Sequence, residues 1–121
     1  MPEIIVKLGD NIVQKYFFVK EPISVGRTED NQIVIENLAV SRNHARIDYD
    51  GEQYTIEDLG SSNGTFVNGV RIRKTEVIDR DVISIGKHKL FFYNQHATNN
   101  VRRPVIDAAD RTMLMDMTPV P

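Results

Sequence analysis

Cysteine and tryptophan are both missing from this chain. Without cysteine there is no disulfide stapling, no thiolate nucleophile and no Cys-based zinc site, a pattern that fits a reducing compartment and makes the cytoplasm the expected location. An excess of one charge is missing too: 15 Lys and Arg face 17 Asp and Glu, for a formal net charge of -2. General nucleic-acid binding needs a broad basic field that releases counterions, so no nucleic-acid partner is expected and any anion site must be local. No run approaches the roughly 18 consecutive apolar residues of a membrane helix. The start, Met1-Pro2-Glu3, carries no basic segment followed by a long apolar stretch, so neither membrane association nor a secretory signal is expected.

A helical apolar period is also absent up to residue 94. Short runs with period-2 alternation take its place, each bounded by turn residues, and they predict an all-β fold. Glu3 to Leu8 alternates Ile4, Val6 and Leu8 on one face, Gly9-Asp10-Asn11 turns, and Ile12 to Val19 returns. Ile23 to Val25 and Ile33 to Ile35 flank a loop in which Asp30-Asn31 favours a turn. Ala45, Ile47 and Tyr49 share a face, Asp50-Gly51 signals a hairpin, and Tyr54 and Ile56 resume the inward pattern. Thr65 to Val67 meets the hairpin dipeptide Asn68-Gly69 and continues as Val70 to Arg73, and Val82 to Ile85 and His88 to Tyr93 close the series. Many short strands with frequent turns predict a two-sheet sandwich whose loops gather at the ends of the sheets.

At 121 residues the chain has the size of one domain, with 40% hydrophobic residues to fill a single core. The division is expected at residues 1–94 for the sandwich and 95–121 for a flexible tail or linker, since composition turns polar at Asn94 and then Met-rich.

Three of the predicted loops carry chemistry. Gly26-Arg27, Ser41-Arg42-Asn43-His44 and Gly60-Ser61-Ser62-Asn63-Gly64-Thr65 bring guanidinium, hydroxyl, imidazole and carboxamide groups to one kind of position. A guanidinium offers a planar fork of donors to a phosphate, hydroxyls add short donors, and Gly lets backbone N–H groups approach closely. The chemistry suggested is phosphate capture without turnover.

In order and spacing, Gly26-Arg27, Ser41 to His44, Ser61 to Thr65, Asn68-Gly69 and the closing Asp81 to Gly86 resemble the forkhead-associated (FHA) domain, a phosphothreonine-peptide-binding module. The resemblance runs from Glu3 to Tyr93. It implies a sandwich of about eleven mostly antiparallel strands with the peptide lying across the loop end. It also implies a threonine-phosphorylated protein or peptide as partner, a role as a signalling adaptor downstream of Ser/Thr kinases, and no cofactor, metal or catalytic residue. Carried over residue by residue, Arg27, Ser41 and Ser62 meet the phosphate, Arg42 assists, and Asn63 holds the peptide main chain. Gly26, His44 and Gly64 support the binding loops. Arg80 stands where the family commonly has Gly, and a bulky residue disfavours positive φ, so that turn is expected to differ locally.

Other readings stand beside this one. Gly60-Ser61-Ser62-Asn63-Gly64 satisfies the G-x-S-x-G elbow of α/β hydrolases, but β-branched and hairpin residues follow it where that mechanism needs a helix. His44, His88 and His96 lack the spacing of a metal site. Arg71, Arg73 and Lys74 read as a solvated strand face. The alternative function is a phosphorylation-independent interaction domain that uses a sheet face or edge. In the tail, Thr112 or Thr118, once phosphorylated, would offer a ligand to the same pocket or to another copy and so a route to self-association.

Overall fold

The computed structural model describes residues 2–18 and 22–94. The expected tail, with Thr112 and Thr118, and the end of the expected second strand at Val19 lie outside the described residues.

Alternating apolar residues generate eleven strands: β1 (Glu3–Leu8), β2 (Asn11–Phe17), β3 (Ile23–Gly26), β4 (Ile33–Val34), β5 (Ala45–Tyr49), β6 (Tyr54–Asp58), β7 (Thr65–Val67), β8 (Val70–Ile72), β9 (Lys74–Val77), β10 (Val82–Ile85) and β11 (His88–Tyr93). They form a six-stranded sheet in the order β2-β1-β11-β10-β7-β8 and a five-stranded sheet in the order β4-β3-β5-β6-β9. Every pairing is antiparallel except β3 with β4. The expected all-β sandwich is the fold. Among the described residues no helix is long and apolar enough to cross a membrane.

The two sheets bury alternate side chains between them. Ile4, Val6, Ile83, Ile85, Leu90 and Phe92 line the inner face of the larger sheet, and Ile23, Val25, Ala45, Ile47 and Ile56 oppose them, with Phe92 and the isoleucines fully enclosed. Full burial of one such side chain contributes about 1.5 to 3 kcal/mol, which is what fixes each strand's register. Tyr54 packs at the margin of this core, edge-on to Phe18 at 4.8 Å between ring centroids and stacked on Tyr49 at 4.4 Å. Tyr49 and Leu8, expected to point inward, sit at strand ends and are 36% and 40% exposed.

Asn68-Gly69 closes a two-residue hairpin with Val67 opposite Val70 and Asn68 at φ 51°, as that dipeptide favours. Arg80 was expected to alter its turn, yet it adopts φ 74° in place of glycine. Its N–H donates to the Phe92 carbonyl (2.7 Å), and the neighbouring Asp81 accepts from Ile78 N (2.9 Å) and Asn68 Nδ2 (3.0 Å). Surrounding bonds therefore hold a backbone conformation that the side chain resists.

The run expected from Val70 to Arg73 forms β8 as far as Ile72, and a further strand that was not expected follows it. After Ile72 the chain changes sheets, and Lys74–Val77 pairs with β6 as an edge strand. Only Val77 of β9 is buried, so the apolar alternation that reveals a strand is missing there.

Pairing fixes the direction of each strand. β1, β3, β4, β6, β8 and β10 run toward one end, where loops 27–32, 35–44 and 59–64 and the turn at Gly86 collect. At the other end Glu3 pairs with Tyr93, so the chain enters and leaves the sandwich side by side.

Candidate functional site

The loop end is organised by close backbone contact. A Cβ at position 26 would lie 2.0 Å from the Arg42 carbonyl oxygen and 2.6 Å from Asn31 Nδ2, so only glycine lets the two loops meet. Asn31, nearly buried, donates through Nδ2 to the carbonyls of Arg42 (2.8 Å) and Thr28 (2.9 Å) and locks loop 27–32 against the turn after Ser41. Arg27 follows β3 directly. Its N–H donates to the Ser41 carbonyl (3.1 Å) and its Nε to the Val40 carbonyl (3.0 Å). A guanidinium has five N–H donors. Nε is committed to the protein, while the Nη donors have no partner among the described residues.

His44 is fully buried and ties two loops together. Its Nδ1 accepts from Ser41 N–H (3.0 Å), which leaves the hydrogen on Nε2, and that atom donates to the Gly64 carbonyl (2.9 Å). One imidazole thus joins the turn at Ser41 to the loop between β6 and β7. Ser41 adds a second link, because its Oγ accepts the Ser62 N–H (3.2 Å). With a lone pair engaged in this way, the Ser41 hydroxyl keeps its hydrogen to donate.

Asp58, at the end of β6, shapes the second loop from below. It accepts from Gly60 N (3.1 Å), Ser61 N (3.0 Å), the Ser61 hydroxyl and Thr65 Oγ1 (2.7 Å). Burial raises its pKa, but the Ser61 and Thr65 hydroxyls and the Ser61 and Gly60 N–H groups outweigh burial and hold the carboxyl below its usual value. The Ser61 hydroxyl in turn accepts from Gly64 N (3.0 Å). Of the two adjacent serines, Ser61 is spent on the loop itself, and the exposed Ser62 side chain has no hydrogen-bond partner among the described residues.

Asn63 donates from Nδ2 to the Ala39 carbonyl (2.9 Å), which draws loop 35–44 toward it. A carboxamide has a second Nδ2 hydrogen and an oxygen acceptor, and Asn63 is exposed, so both are presented outward. Gly64 is buried at φ +91° beneath Arg71, whose Nε lies 2.8 Å from where a Cβ would be.

Arg27, Ser41 and Ser62 are therefore consecutive in one hydrogen-bonded chain across three loops, with His44 and Gly64 behind them. Arg42 contributes its carbonyl to the junction while its side chain stays exposed with no partner among the described residues. Such an arrangement presents several donors side by side, the chemistry of an anion cradle. Ser62 stands between two strands, so the G-x-S-x-G run is not the strand-to-helix turn of a nucleophile elbow.

Three residues were not singled out as site residues in the sequence. Asp58 binds the loop that follows it and Asn31 joins its own loop to the Arg42 carbonyl, and the one signal for Asp58 is the Asp-x-Gly-Ser spacing of an Asx turn. Arg71, read as a solvated strand face, is brought onto Gly64 by the pairing of β8 with β7.

Residues 23–86 match the FHA domain family, and the chain belongs to that family. Among curated relatives it is 36% identical over 91 residues to the oxoglutarate dehydrogenase inhibitor of Corynebacterium jeikeium, covering 75% of this chain and 63% of that one. It is 33% identical over 89 residues to the glycogen accumulation regulator GarA of Mycolicibacterium smegmatis, covering 74% and 56%. The chain thus spans less than two thirds of the length of either. Among solved structures, Mycobacterium tuberculosis EmbR in complex with a low-affinity phosphopeptide superposes with a TM-score of 0.70 at 34% identity, over 76% of this chain and 24% of that one.

Proposed function

We propose that this chain is a phosphothreonine-dependent peptide- and protein-binding module, acting as a signalling adaptor downstream of Ser/Thr kinases rather than as an enzyme. The observation that carries the reading is the junction at Ser41. Its carbonyl holds Arg27, its N–H is held by His44 and its hydroxyl accepts from Ser62, so three donors of different loops are set around one point. A phosphate carries about -1.5 to -2 charges and three strong acceptor oxygens, which is what such a point suits. In this reading the Nη groups of Arg27 and the hydroxyls of Ser41 and Ser62 take the phosphate, Arg42 adds positive charge from the rim, and Asn63 holds the peptide main chain. Gly26, His44 and Gly64 keep the loops in register. Residues 1–94 act as the binding unit and the tail as a connection. The FHA family membership and the phosphopeptide complex of EmbR support the same assignment.

Each hydrogen bond to a charged group contributes about 1.5 to 3 kcal/mol, so phosphorylated and plain peptides are separated widely. Affinity near the micromolar range, about -8 kcal/mol, is expected once peptide ordering is subtracted. The test is fluorescence polarisation against an oriented phosphothreonine library with phosphoserine and unmodified controls, repeated for Arg27→Ala. That variant should lose at least about 2 kcal/mol of binding, roughly 30-fold, while far-UV circular dichroism stays native. Equal affinity for phosphorylated and plain peptides would remove the proposal.

A further inference from the structure

Six arginines lie among the described residues, and they divide by position. Arg46 pairs with Asp48 and Glu57, and Arg80 pairs with Asp79. Arg27, Arg42, Arg71 and Arg73, all at or beside the loop end, form no ion pair among the described residues. Arg27 is anchored through Nε on the Val40 carbonyl, and Arg71 sits over the backbone of the β6–β7 loop at Gly64. Its guanidinium fills the space over Gly64, with Nε, Cζ and Nη2 at 2.8, 3.0 and 3.3 Å from the point a Cβ would occupy. Gly64 is itself immobilised, its carbonyl accepting from His44 and its N–H donating to Ser61. An exposed cation over the residue that follows Asn63, with no carboxylate partner among the described residues, is placed to meet an acidic group brought from outside.

We propose that Arg71 forms a second anion subsite, which receives the carboxylate of an Asp or Glu flanking the phosphothreonine in the same peptide. The inference rests on the phosphothreonine reading above and deepens it: Asn63 holds the peptide main chain, and the neighbouring Arg71 then selects a side chain within a few residues of the phosphate. The glycine at 64 serves both steps, since a larger residue would push the guanidinium off its seat. An arginine that merely shielded Gly64 would need its shape and stem and would not need its charge.

The experiment uses the full chain and a panel of phosphothreonine peptides with alanine flanks, in which one position at a time is changed to aspartate, together with the plain-threonine versions. The wild type should favour aspartate at one flanking position by about fivefold, an effect that shrinks as salt rises. Arg71→Gln should abolish that preference while binding the alanine-flanked phosphopeptide within about twofold of wild type. Arg71→Lys should keep part of the preference, and Arg71→Glu should favour lysine at the same position. Absence of an acidic preference in the wild type, its persistence in Arg71→Gln, or an equal loss for all peptides in that variant would overturn the subsite while leaving phosphate discrimination intact. Failure of the underlying reading has a separate signature, no discrimination between phosphorylated and plain peptides, and it overturns the subsite as well.

Discussion

Replacing Asp58 tests whether the second loop is built by one carboxylate. Alanine at 58 removes acceptors from Gly60 N, Ser61 N, the Ser61 hydroxyl and Thr65 Oγ1 together. Bonds to a charged group contribute about 1.5 to 3 kcal/mol each, but the four share one anion and the loop is partly wet, so the sum is far from additive. A net loss of about 3 kcal/mol is expected, which for a domain of this size lowers Tm by roughly 15 °C. Asparagine keeps the shape and one oxygen for the two N–H groups, and the two hydroxyls can turn to accept from its amide, so Asp58→Asn should lose about half as much. The pH dependence has a definite sign. The folded pKa of Asp58 is depressed, so its contribution is complete above the unfolded carboxylate value near 3.9 and is lost as pH falls through the lower folded value. Urea titrations of wild type and both variants, at neutral pH and at about pH 3, measure all of this. Stability of Asp58→Ala within about 0.5 kcal/mol of wild type, or a wild-type advantage over asparagine that does not shrink in acid, refutes the reasoning.

The other predictions are shorter. Gly26→Ala forces a Cβ to 2.0 Å from the Arg42 carbonyl, so thermal melts should show a loss of about 2 to 3 kcal/mol and peptide affinity should fall with it. His44→Phe fills the same space but leaves Ser41 N–H and the Gly64 carbonyl without their partner, which should cost about 3 kcal/mol by denaturant titration and broaden the amide NMR signals of both loops. Arg80→Gly relieves a left-handed residue at φ 74° against the added flexibility of the unfolded chain, for a net gain of about 0.5 kcal/mol in urea titration and unchanged peptide binding.

Strands whose one face is buried were readable from alternation, because Ile4 and Val6, Ala45 and Ile47, and Ile83 and Ile85 each place two apolar side chains on the inner face. β9 was not readable, since an edge strand that buries only Val77 has no pattern to show. The same contrast runs through the site. Arg27, Ser41, Ser62 and Asn63 stand on motif positions whose spacing is visible in the chain, whereas Asp58 and Asn31 act on loop backbone, Asn31 across to Arg42, and look like any polar turn residue. Arg71 was hidden for a different reason: the Asn68-Gly69 hairpin sets its register seven residues from Gly64, but alternation alone does not say that its side chain covers that glycine.

The pairing of Glu3 with Tyr93 carries a practical corollary. The backbone at Glu3 and at Tyr93 departs from the pole opposite Ser41 and Ser62, so a protein fused directly ahead of Glu3 or directly after Asn94 starts from the side away from those loops, like a handle. Insertion of residues 3–94 into a longer chain therefore needs no connection that crosses the loops at Ser41 and Ser62.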